Sequence, residues 1–156
     1  LTMINRRIPD RLPTPCTQPL AAAQLARLLG PLSRHRLSLL RATIDPTTVV
    51  AAMVSRSLID TGSWFGKRRL CLAFTPTAAL FFACGPRPIC QLVPLAKLAD
   101  TQYNAVTGEL VFKTTTHAPL PAVALPPLAA ARALAQIAAA ATDSASKILN
   151  NTDKKG

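Results

Sequence analysis

Between Arg69 and Arg87 the chain carries no charged residue, and the 17 positions of LCLAFTPTAALFFACGP, residues 70–86, must be hidden from water. A run of this length is at the short limit for crossing a bilayer. Pro76 lies near its middle between two threonines, where it removes a backbone donor and stops a helix. Proline there reads as a turn between two strands rather than the centre of a span. The expectation is a hairpin, LCLAF then ALFFACG, in a soluble protein.

The flanking texture extends the pattern. Val49, Val50, Met53, Val54, Leu58 and Ile59 are strand-tolerant, although 49–57 also suits a helix, and Asp60-Thr61-Gly62-Ser63 is a turn cluster. Pro86 and Pro88 punctuate, ICQLVPL reads as a strand ending near Pro94, and LADTQYNAV and GELVFKT form a second hairpin turning at Thr107-Gly108. APLPAVALPP holds one short edge strand. Pro126-Pro127 then introduces LAAARALAQIAAAA, a helix with Leu128, Ala131, Leu134, Ala135 and Ile137 along one face.

Upstream, Leu20, Leu25, Leu28, Leu29 and Leu32 recur at helical spacing after Pro19. Gly30-Pro31 breaks this pattern, and a second helical stretch carries Leu37, Leu40 and Ile44. The chain divides into an irregular basic arm, 1–18, a helical segment, 19–44, a β-rich domain, 45–141, and a frayed polar tail, 142–156.

Charge narrows the partners. There are 18 basic and 7 acidic residues, net +11, and residues 1–69 hold 11 of the bases and 3 of the acids. Such a surplus favours anionic faces of proteins, acidic lipid or nucleic acid. Catalysis is poorly supplied: two histidines, seven acids, no nucleophile elbow, phosphate loop or zinc-protease motif. No catalytic residue, cofactor or small-molecule substrate is expected. Cys16, Cys71, Cys84 and Cys90 form no Cys-x-x-Cys pair and His35 and His117 lie far from them, so no metal site is expected either. Cys71 and Cys84 sit in apolar runs as small buried hydrophobes, reduced in a cytoplasmic setting.

Three stretches together resemble the bacterial pleckstrin-homology-like (PH-like) and GRAM-like domains. They are GKRRLCLAFTPTAALFF, similar to the family's second-and-third-strand hairpin, VPLAKLADTQYNAVTGELVF, and the closing helix LPPLAAARALAQI. The likeness covers about residues 46–141. It departs where the family carries threonine–x–x–arginine–leucine and this chain has Ala78-Ala79-Leu80. The resemblance implies a mainly β fold with flanking helices: a PH-like small barrel closed by a C-terminal helix and preceded by helical residues. Another small β-barrel or an α+β roll is the competing architecture.

The resemblance also implies a non-catalytic interaction or scaffold module, with a protein as its partner, cytoplasmic or peripheral at the membrane. Candidate partner-binding residues are Arg56, Trp64, Lys67, Arg68 and Arg69, because lipid-binding members of the family place basic residues in this first hairpin. Guanidinium and ammonium groups there suit phosphate oxygens, and Trp64 and Phe65 suit a membrane interface. The bland alternative puts both aromatics in the core and leaves the charges as a soluble strand start. A nucleic-acid-associated protein using Arg6, Arg7, Arg11, Arg27, Arg34, Arg36 and Arg41 is the alternative from another class, although that set lacks stacking aromatics.

Overall fold

The computed structural model describes residues 11–64, 66–113 and 120–153, with side chains given as far as residue 142 apart from Pro31. Among the described residues three α-helices and seven strands follow one another. Helix α1, Ala22–Leu29, and helix α2, Ser33–Arg41, come first, joined by a 3-10 turn at Gly30–Leu32. Strands β1, Ala51–Ile59, β2, Arg68–Phe74, β3, Ala78–Ala83, and β4, Ile89–Pro94, form an antiparallel sheet in sequence order. Strands β5, Gln102–Asn104, β6, Glu109–Val111, and β7, Val123–Ala124, form a smaller one, and helix α3 covers Pro127–Asp153.

The charge-free run is the centre of the molecule. Its two strands pair from Cys71 with Phe82 to Phe74 with Ala79, and Thr75 closes the turn by bonding both backbone groups of Ala78. Neither strand is at an edge, and both faces are buried, as expected for a near-continuous apolar sequence. Alternation divides the side chains between two cores. Leu70, Leu72, Phe74, Ala79 and Phe81 pack against the small sheet and α3, while Cys71, Ala73, Leu80 and Phe82 pack against α1 and α2. Leu25, Leu29 and Leu40 complete the second core. The helical segment set apart from the β-rich region in the sequence thus shares a core with it.

Several expectations are corrected. The stretch 49–57, which suited strand or helix, is strand from Ala51 onward, with Ala51 and Met53 serving one core and Ala52 the other. Helix α3 does not end near Ala141 but runs to Asp153, since no glycine or proline interrupts it. Of the expected face Ala131, Ala135 and Ile137 are buried and Leu134 is partly buried against the core, but Leu128 is 58% exposed and the core contact also uses Ala130 and Ala133. Residues 95–98 make a 3-10 turn, so the second hairpin begins at Gln102. Asn104 caps the turn by accepting the N–H groups of Val106 and Thr107.

The expected closed barrel is also corrected: the two sheets do not join into one. Between Val54 and Leu58 strand β1 bulges, three residues facing one on β2, and it bends toward β7. There the Ser57 hydroxyl accepts the Ala124 N–H at 2.8 Å and donates to the Ala122 carbonyl at 3.2 Å. A side chain bridges the gap where a ladder would otherwise run.

Candidate functional site: an exposed tryptophan at the basic end of the sheet

The β1–β2 connection is built on a fixed base. Asp60 accepts the Gly62 N–H, forming a tight turn in which Gly62 has φ +79°. Thr61, buried, donates its hydroxyl to the Cys84 carbonyl at 2.9 Å, and its own carbonyl accepts the Arg87 N–H at 2.9 Å. This clasp ties the β1–β2 loop to the β3–β4 loop at one end of the large sheet. Gly85 is the other half of the clasp: a Cβ there would lie 2.0 Å from Thr61 Oγ1.

Above this base Trp64 projects into solvent, 99% exposed. The reading that places it in the core is therefore wrong for Trp64; Phe65 lies outside the described residues. Lys67 is exposed, and Arg68 and Arg69 open β2 opposite Ile59 and Leu58. Strand alternation turns Arg68 to the small-sheet side and Arg69 to the helical side. Arg69 shares a shallow cleft with Leu28, Leu32, Val54 and Arg36.

Arg87 joins this group and was missed in the sequence. It follows Pro86 in a different loop, and only the clasp brings its side chain over Gly62. Asp60 is the one acid on the β1–β2 loop. Lys67, Arg68, Arg69 and Arg87 make no ion pair among the described residues. Arg56 does not belong with them. It sits in the β1 bulge and lines a separate cavity of about 270 Å³ with Tyr103, Thr107 and Pro126, so the loose spacing Arg56–Lys67–Arg69 does not correspond to one site.

The helical arginines also separate. Arg36 is 7% exposed and its guanidinium donates to the Leu29 carbonyl, where it meets the carbonyl end of α1. It is a structural cation and leaves the set available to an anionic polymer. Arg11, Arg27, Arg34 and Arg41 remain exposed, whereas Arg6 and Arg7 lie outside the described residues.

The thiols give no nucleophile at this site. Burial pushes the Cys71 thiol from 9.0 up to about 11, against an opposing pull from the Arg36 guanidinium. Burial raises the Cys84 thiol as well, with Arg36 and Arg68 opposing. Iodoacetamide at neutral pH is expected to modify the exposed Cys16 and Cys90 long before Cys71, as peptide mass mapping would show. The neutral buried Cys71 thiol contributes stability in full below pH 9. That contribution is lost as pH rises through about 11, because the unfolded chain ionises first.

Known families, curated proteins and solved structures were compared with this sequence and fold. The chain matches none of them. No helix among the described residues is long and apolar enough to cross a membrane.

Proposed function

We propose that the chain is a non-catalytic interaction module that receives the acidic face of a partner protein at the Trp64 end of its large sheet. The observation that carries this reading is Trp64, wholly exposed on an anchored loop beside Lys67, Arg69 and Arg87, which make no ion pair among the described residues. Exposing an indole to water is unfavourable in a free protein, and tryptophan and arginine dominate the energetic centres of protein interfaces. A PH-like assignment is proposed alongside it. A four-stranded meander, a three-stranded sheet and a terminal helix, in that order, support it.

Anionic lipid is the second reading, favoured by the same indole, which suits a membrane interface. Affinity purification from native extract, with wild type and a Trp64→Ala/Lys67→Ala/Arg69→Ala variant as baits, separates the two. The expected result is an acidic protein retained by wild type and lost, by at least about thirtyfold in affinity, with the variant. Sedimentation with anionic vesicles and gel shift with DNA serve as parallel arms. Equal recovery of every protein by both baits refutes the proposal, and salt-sensitive vesicle binding by wild type alone transfers the site to lipid.

A further inference from the structure

Among the described residues the large sheet has two unpaired edges, and they are protected differently. Strand β4 is bordered by Pro88 and contains Pro94, which interrupts any further ladder. Among the described residues strand β1 is paired only with β2 over residues 51–54, and the sequence there, Ala-Ala-Met-Val, contains no charge, proline or glycine. Its bulge starts after Val54, and β7 reaches it only at Ser57. Over Val50–Val54 this edge is the floor of an open groove of about 400 Å³.

The walls differ in chemistry. On the helical side stand Leu20 and Leu28, the latter 41% exposed; on the other stand Ala129 and Arg132 of α3. The floor side chains are committed to the two cores, so the strand's main chain is what the groove presents. Cys16 closes the rim, and the Gln136 carboxamide fixes it there by bonding both of its backbone groups. Leu20 N–H donates to the Val49 carbonyl just before the groove begins.

We infer that this groove accepts an extended segment of a partner protein as an added strand on β1, with apolar and acidic side chains alternating along it. Five residues of floor span about 16 Å, room for a short strand. Alternation sends one set of the guest's side chains to Leu20 and Leu28 and the other to Ala129 and Arg132. Arg132 is exposed, makes no ion pair among the described residues, and no acid lines the groove. The cation therefore selects a carboxylate. It also opposes a second copy of this chain, which carries the same arginine and the same net charge of +11. The inference does not depend on Trp64, which does not line the groove, although Leu28 and Val54 also border the Arg69 cleft.

The test uses the full chain and three fluorescein-labelled octapeptides: alternating valine and glutamate, the same with lysine for glutamate, and the first with a central proline. Anisotropy is expected to show saturable binding of the Val/Glu peptide and at least tenfold weaker binding of the other two. Leu28→Glu should weaken it tenfold or more, Arg132→Glu should transfer the preference to the Val/Lys peptide, and Trp64→Ala should change nothing. Both altered wall residues are exposed, so folding is retained. Hydrogen exchange of residues 51–54 should slow when peptide is added. Absence of saturable binding overturns the inference, as does binding without slowed exchange or binding indifferent to proline or Arg132→Glu. A dimer whose 51–54 amides are already protected before peptide is added overturns it too, since a second copy would then be the occupant.

Discussion

Phe82→Ala is expected to destabilise the fold by about 3–5 kcal/mol, and Phe81→Ala by a similar amount, although the two rings lie in different cores. Both are fully buried on the same strand. Phe81 meets Phe112 edge-on, ring centroids 5.0 Å apart, on the small-sheet side. Phe82 lies beneath α1 and α2 with Leu25, Leu29 and Leu40. Each truncation leaves a cavity that neighbouring strands, held by ladders, are poorly able to collapse. Urea unfolding followed by circular dichroism measures both. The only tryptophan is already in water when the chain is folded, so its fluorescence is a poor reporter. A loss below 1 kcal/mol for Phe82→Ala, beside a full loss for Phe81→Ala, would mean that the helices do not cover that face.

Gly85→Ala is the second large effect, about 2–4 kcal/mol from overpacking and backbone strain together. The added methyl would stand 2.0 Å from Thr61 Oγ1, 2.5 Å from Thr61 Cβ and 3.1 Å from the Thr61 carbonyl oxygen, at a glycine with φ +155°. Thr61 cannot retreat without giving up the Cys84 and Arg87 bonds. Gly62→Ala is the control. It has φ +79°, but its methyl would meet only the flexible Arg87 side chain, at 3.6 Å, and about 1 kcal/mol is expected. Equal losses of melting temperature for the two variants would refute the clasp. Gly85→Ala should also disturb partner binding, because Trp64 stands on the loop that Thr61 anchors.

How far the sequence could be read depended on how strong a signal each residue type carries. The central hairpin was legible because an uncharged run broken by proline has few other homes. The opening helices were legible from leucine spacing, but not their place over Phe82, since periodicity gives a face and not its counterpart. In α3 the sequence face is right at Ala131, Ala135 and Ile137 and wrong at Leu128, while the buried Ala130 and Ala133 go unmarked because alanine buries little area and signals a face weakly. At the candidate site, Trp64 and Lys67–Arg69 could be found as neighbours in the chain. Arg56 was grouped with them through spacing alone, which the bulge in β1 invalidates. Arg87 was invisible because a loop-to-loop clasp has no local pattern, and Arg36 looked like its exposed neighbours Arg34 and His35.

The Ser57 bridge sets how the molecule responds to temperature. Within each sheet, strands are held by rows of backbone bonds, whereas among the described residues the Ser57 hydroxyl spans the junction at Ala122 and Ala124. What keeps the small sheet seated is mainly the burial of Leu110, Val123, Leu125 and Ile137 against Leu70, Leu72 and Phe74. Apolar burial weakens on cooling. Strands of three, three and two residues are too short to persist by themselves. Chilling should therefore loosen the junction before it touches the central hairpin, making the small sheet the cold-labile leaf of the structure.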